Sequence, residues 1–76
     1  MVNTNTINIT DNLRQTVRIY VNRELFIDQV LPFQKNKLQL TYNSDDDINK
    51  IRVKCNETVQ TFKVSSNEVV DVELNK

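Results

Sequence analysis

The sequence predicts an all-β fold, a small antiparallel two-sheet β-sandwich of about seven short strands, immunoglobulin-like or a partly open barrel. Three observations predict it. Apolar and polar residues alternate through most of the chain, as in Val17-Arg18-Ile19-Tyr20-Val21, which is the period of a strand with one buried face. Asparagine recurs where the alternation breaks, at Asn22, Asn36, Asn43, Asn56 and Asn67, and in a chain without glycine it is the residue that best tolerates the positive φ of tight turns. Helical spacing is not sustained over any useful window.

The first strand is expected over Thr4 to Thr10, with Ile7 and Ile9 on one side of Asn8, ending at Asp11-Asn12. Val17 to Val21 and Leu25 to Leu31 then form a hairpin around Asn22-Arg23. Leu25 and Ile27 share a face that Val30 does not, so a β-bulge or the strand's end is expected near Asp28-Gln29. Pro32 closes the strand, because proline has no N–H to give a ladder.

Lys37 to Tyr42 is the next strand, with Leu38, Leu40 and Tyr42 on one face, and Asn43 to Asp47 is a polar loop. Ile48 to Cys55 and Thr58 to Val64 form a second hairpin around Asn56-Glu57. After a turn at Ser65-Ser66-Asn67, the last strand runs from Val69 to Leu74 with Val70, Val72 and Leu74 inward. The expected core is Ile7, Ile9, Val17, Ile19, Val21, Leu25, Ile27, Leu38, Leu40, Ile51, Val53, Cys55, Phe62, Val64, Val70, Val72 and Leu74.

Setting Val17 against Ile51 also aligns Arg18 with Arg52, Ile19 with Val53, Asn22 with Asn56, Leu25 with Val59, Leu38 with Val72 and Leu40 with Leu74. Each half then reads as a hairpin followed by a strand. A pseudo-symmetric sandwich is one reading of this repeat, and two similar solutions to one folding problem is the other. An immunoglobulin fold proper lacks support, since the usual buried tryptophan and paired cysteines are missing and the two-residue connections pair the second and third strands in one sheet.

Seventy-six residues make one domain, over residues 1–76, with a small core. Formal net charge is zero, which gives no general reason to expect a polyanion as partner. With Cys55 the one cysteine, no disulfide or multi-thiol metal site can form within the chain, and a buried, inert thiol is expected. Met1 to Thr6 has neither a basic n-region nor a long apolar stretch, and no segment reaches the length of a membrane span, so the chain as given reads as cytoplasmic.

The chemistry is mostly exclusion. Without histidine there is no Ser-His-Asp, Cys-His or histidine-metal arrangement, and without glycine there is no glycine-rich phosphate loop. No cofactor, metal or catalytic residue is expected. The loop from Asn43 to Asp47 begins as a calcium loop does, then fails, because Ile48 stands where glycine is needed and Lys54 where the bidentate glutamate is needed.

The outward positions are more informative. Arg18 and Tyr20 on one strand, with Lys50, Arg52 and Lys54 on another, make a basic stripe if those strands are neighbours, while Glu24, Asp28, Asp71 and Glu73 point outward elsewhere. The stripe is either a contact surface or a solvated face whose edge-strand charges discourage sheet-to-sheet aggregation. Phe26 and Phe33 also fall opposite the core row, where they serve either as apolar contact anchors or to fill a second small core under the loop.

The expectation is a non-enzymatic protein-binding module whose partner-binding residues are Arg18, Tyr20, Lys50, Arg52, Lys54, Phe26 and Phe33. A small intracellular regulator is one version, and a phage-encoded inhibitor of a host protein is another, the latter resting on Asn, Ile and Lys richness and size. The alternatives are a structural or carbohydrate-binding module of a larger surface protein, or a nucleic-acid-backbone binder acting through the basic face. Nucleic acid is disfavoured by neutrality, no membrane partner is expected, and an edge strand offers a route to a homodimer.

Overall fold

The computed structural model describes residues 1–75; Lys76, the last residue of the expected domain, lies outside the described residues. Seven strands follow in order: β1 (Val2–Asp11), β2 (Thr16–Val21), β3 (Glu24–Val30), β4 (Lys35–Asn43), β5 (Asn49–Cys55), β6 (Thr58–Val64) and β7 (Val69–Leu74). They form a three-stranded sheet in the order β4-β1-β7 and a four-stranded sheet in the order β3-β2-β5-β6. This is the expected two-sheet all-β architecture. Every described pairing is antiparallel except that of β1 with β7, which is parallel.

Both hairpins turn at the expected asparagines. Val21 opposes Glu24 across Asn22 (φ 49°) and Arg23 (φ 77°), the two left-handed residues of a primed turn whose twist suits the flanking strands. Cys55 opposes Thr58 across Asn56 (φ 57°) and Glu57. Asn67 (φ 68°) serves the turn before β7. Asn36 does not turn the chain. It is buried within β4, where its carboxamide accepts from the Phe33 N–H (3.2 Å) and donates to the Phe33 carbonyl (2.6 Å).

The bulge lies two residues earlier than expected. Ile19 opposes Ile27 and Tyr20 opposes Leu25, leaving Phe26 as the extra residue. A bulge opposes two residues to one, so both Phe26 and Ile27 pack against the core, while Leu25 is carried to the outer face beside Tyr20 and is 46% exposed. The expected inward Leu25 and outward Phe26 are therefore exchanged.

The core is one cluster between the sheets. Of the expected members, Ile27, Leu38 and Phe62 are partly buried, Leu25 is out, and the others are buried. Leu31, Tyr42, Leu13 and Phe26 complete it. Phe26 stands edge-on to Tyr42, with centroids 6.4 Å apart and planes at 79°.

β1 is the least apolar of the inner strands. Its inward row reads Asn3, Asn5, Ile7, Ile9, Asp11, all buried. Buried amides must be hydrogen-bonded. Asn5 donates to the carbonyls of Ser65 (2.8 Å) and Glu68 (3.2 Å) and accepts from the Tyr42 hydroxyl. One Asp11 oxygen accepts from the N–H groups of Leu13 (3.0 Å) and Arg14 (2.9 Å), while its Oδ2 is buried without a partner.

The two halves are related by a pseudo-two-fold axis. The offset that sets Val17 on Ile51 carries β3 onto β6 at both ends and the start of β4 onto the start of β7. Ile19 and Val53, equivalent under that offset, oppose each other; Val17 opposes Cys55 and Val21 opposes Ile51 around them. In the other sheet the axis passes through Asn8: Leu38 opposes Ile7 and its equivalent Val72 opposes Ile9, while Leu40 opposes Asn5 and its equivalent Leu74 opposes Asp11. A two-fold axis makes β4 and β7 run in opposite directions. One of them must therefore be parallel to β1.

Candidate functional site

The outward rows of β3, β2, β5 and β6 form a single face, and its composition is uneven. Arg18 opposes Lys54, Tyr20 opposes Arg52, and Lys50 opposes Lys63. Asp28 is the one acidic side chain among the described outward rows of these strands. The stripe of Arg18, Tyr20, Lys50, Arg52 and Lys54 is thus brought together on adjacent strands. Lys63, on the neighbouring edge strand, belongs to it and was not anticipated; the signal available was its place in the outward row of the strand expected from Thr58 to Val64.

Two of these cross-strand pairs, Arg18 with Lys54 and Lys50 with Lys63, are like-charged, an arrangement that opposes pairing by about 0.2–1 kcal/mol each. The third is attractive. The Arg52 guanidinium lies 5.7 Å from the centroid of the Tyr20 ring, within the range of a cation–π contact. Arg18 also meets Asp28 with Nε 3.4 Å from Oδ1, both side chains half exposed, so this ion pair adds little.

Position within the sheet bears on what the charges are for. Lysines on edge strands discourage sheets from adding to one another. Arg18, Lys50, Arg52 and Lys54, however, stand on β2 and β5, the two inner strands, whose backbone groups are already paired on both sides. Edge protection does not account for them.

Around the face lie apolar side chains. Leu25 and Val59, equivalent under the pseudo-two-fold, flank it on β3 and β6, each nearly half exposed, and Val30 continues the β3 side. At one end is an open groove of about 570 Å³ lined by Arg14, Gln15, Thr16, Arg18, Val30, Lys54 and Asn56. The Arg14 guanidinium reaches the Pro32 carbonyl (3.3 Å) at that end.

The two phenylalanines separate. Phe26 packs inward against Tyr42 and is no contact anchor. Phe33, 66% exposed, projects from the link between β3 and β4, held by Asn36. The expected acidic face also divides. Asp28 sits on the basic face beside Arg18, Glu24 opposes the inward Val21 at the hairpin end and so leaves the outward row, and Asp71 and Glu73 lie on the outer face of the other sheet, across β1 from Lys37 and Lys35.

The polar loop after β4 is tied to the far end of the basic face. Asn49, buried, accepts from the Ser44 hydroxyl (2.6 Å) and the Asn22 amide (2.7 Å), and Asn22 in turn bonds the Lys50 backbone through both its side chain and its own N–H (2.9 Å each). The hairpin turn and the start of β5 are thereby locked together, which fixes Lys50. Among the described residues, no three His, Cys, Asp or Glu side chains gather closely enough to hold a metal ion.

Cys55 is buried at the β5 end of the core, and burial, with the Asp11 carboxylate adding to it, pushes its thiol above the ordinary range. A thiol held protonated is a poor nucleophile. No helix among the described residues is long and apolar enough to cross a membrane. No family model matches the chain, and neither a curated protein nor a solved structure matches it.

Proposed function

We propose that this chain is a non-enzymatic binding module that docks an acidic protein surface on the outer face of its four-stranded sheet. The observation that carries the reading is the like-charged opposition of Arg18 with Lys54 on the two inner strands, continued by Lys50 against Lys63 of the edge strand β6. Each opposes pairing in the free chain, and the Arg18–Lys54 pair, with both strands already paired on both sides, serves no edge. An acidic partner would convert that repulsion into attraction on binding, and a concentrated positive face on a neutral molecule speeds and orients encounter.

Arg18, Lys50, Arg52, Lys54 and Lys63 supply the charge, Tyr20 and the flanking Leu25 and Val59 supply apolar contact, and Phe33 extends the surface beyond the groove. Tyr and Arg are the side chains most often central to protein interfaces. A cytoplasmic regulator or inhibitor, including one encoded by a phage, is the concrete form of this reading. A nucleic acid backbone is the second candidate for the same cations, since phosphates also take Lys and Arg and Tyr20 offers a stacking ring.

Affinity capture from lysate of the source or host cell tests the reading, using the chain beside an Arg52→Glu, Lys54→Glu double variant whose fold is checked by circular dichroism. The expected result is a protein retained by the parent chain and lost with the variant. Equal retention by both, or no retained protein, contradicts it. Retention of nucleic acid, released steeply by salt, favours the second candidate instead.

A further inference from the structure

β1 has three properties that converge on one idea. It is the strand outside the repeat, seated on the pseudo-two-fold axis between the equivalent strands β4 and β7. Its sequence about the axial Asn8 reads nearly the same in both directions: Asn5-Thr6-Ile7-Asn8-Ile9-Thr10-Asp11. And its seat is built mainly of ladder hydrogen bonds to β4 and β7, with Ile7 and Ile9 its only buried apolar side chains.

We propose that the space between β4 and β7 is a strand-binding slot that accepts Asn5–Asp11 of a second copy of the chain, in either direction. The walls of the slot are interchanged by the axis, so a reversed strand meets the same pattern of backbone donors and acceptors with β4 and β7 exchanging roles. Reversal about Asn8 places Ile9 where Ile7 was, Thr10 where Thr6 was and Asp11 where Asn5 was. The Tyr42 hydroxyl, which donates to the Asn5 carboxamide oxygen, can donate to a carboxylate as well, whereas the Ser65 and Glu68 carbonyls that take the Asn5 amide lose their donor, which makes the reversed seating the weaker of the two.

Within one chain the direction is fixed by the short link from Asn12 to Gln15, which must deliver the chain from Asp11 to Thr16 in the other sheet. That link holds Arg14 in the left-handed region (φ 56°), a conformation costly for a residue with a long side chain. Releasing β1 relieves Arg14, and exchange of an identical element between copies is a low-cost route to a dimer. An intramolecular strand has the advantage of effective concentration, so exchange is expected when chains refold together at high concentration.

The test uses full-length chains carrying Cys55→Ala. One chain bears Thr6→Cys and a second bears Gln39→Cys, two outward positions that oppose each other across β1 and β4. The two are mixed, refolded together at high concentration, oxidised and resolved by mass. A second mixture pairs Thr10→Cys with Gln39→Cys, which meet only if the strand is reversed, and a third pairs Thr6→Cys with Lys63→Cys, on different sheets, to set the background. The expected result is disulfide heterodimer in both of the first two mixtures at about tenfold or more over the third. Heterodimer in the Thr6→Cys mixture alone overturns the two-way slot, and background levels in both overturn exchange itself.

Discussion

Arg52 and Tyr20 oppose each other on the two inner strands of the larger sheet, with the guanidinium 5.7 Å from the ring centroid. The contact occupies the centre of the basic face and holds one of its cations in place. To either side, Arg18 with Lys54 and Lys50 with Lys63 repel. The face is therefore least favourable, taken alone, where a binding reading most needs it.

Lys63→Glu is expected to make the chain more stable and a poorer binder. It turns one repulsive cross-strand pair into an attractive one, worth about 0.2–1 kcal/mol. Urea denaturation checks the first effect and capture of the partner the second. Lower stability, or unchanged binding, would remove Lys63 from the face's function.

The Asn22-Arg23 turn holds Arg23 at φ 77°, where glycine pays no steric penalty. Arg23→Gly is expected to stabilise the chain by up to about 1 kcal/mol, because Asn-Gly is the favoured pair for this turn. An increased urea midpoint with unchanged slope is the expected signature.

Phe26→Ala and Phe33→Ala should differ sharply. Phe26 packs on Tyr42 in the core, so its truncation is expected to cost about 2–4 kcal/mol, while Phe33 is exposed and its loss should fall within about 0.5 kcal/mol of zero. Thermal unfolding of both variants checks the ordering. In the binding assay Phe33→Ala should show the larger direct effect.

Stability should decline at both ends of the pH range for identifiable reasons. Burial raises the Tyr42 hydroxyl above its ordinary value of 10.0, and burial together with Asp11 raises Cys55 above 9.0. A group whose pKa is raised on folding contributes stability that is fully present below its unfolded pKa and lost as pH rises through the folded one, so stability falls from about pH 9 upward. Glu68 is the opposite case: hydrogen bonds from the Ser65 hydroxyl and N–H lower it below 4.5, and its contribution is lost as acid protonates it. Tyr42→Phe should flatten the alkaline limb and Glu68→Gln the acid limb; unchanged limbs in pH-dependent denaturation would contradict the assignments.

The strands and most of the core could be read from alternation alone, because side-chain period ties Val17, Ile19 and Val21 to one face whatever the topology. Leu25 and Phe26 could not. A bulge exchanges their faces, and its position depends on the register against Ile19 and Tyr20, which one strand's sequence does not contain. Asn3, Asn5 and Asp11 were hidden for a related reason. Each is polar by type, and what permits its burial is a set of partners distant in the chain or formed by backbone, as Ser65, Glu68 and Tyr42 are for Asn5. The basic stripe was legible as residues and became a face only through the pairing of β2 with β5, which joins the two hairpins. The pseudo-two-fold axis follows from the same pairing.

The most direct measurement is a chemical-shift map of the isotopically labelled chain on adding the captured partner. The binding reading predicts shifts concentrated at Arg18, Tyr20, Lys50, Arg52, Lys54 and Lys63 on the outer face of the larger sheet. Shifts confined to Thr4, Thr6, Asn8 and Thr10 on the outer face of the smaller sheet would contradict it.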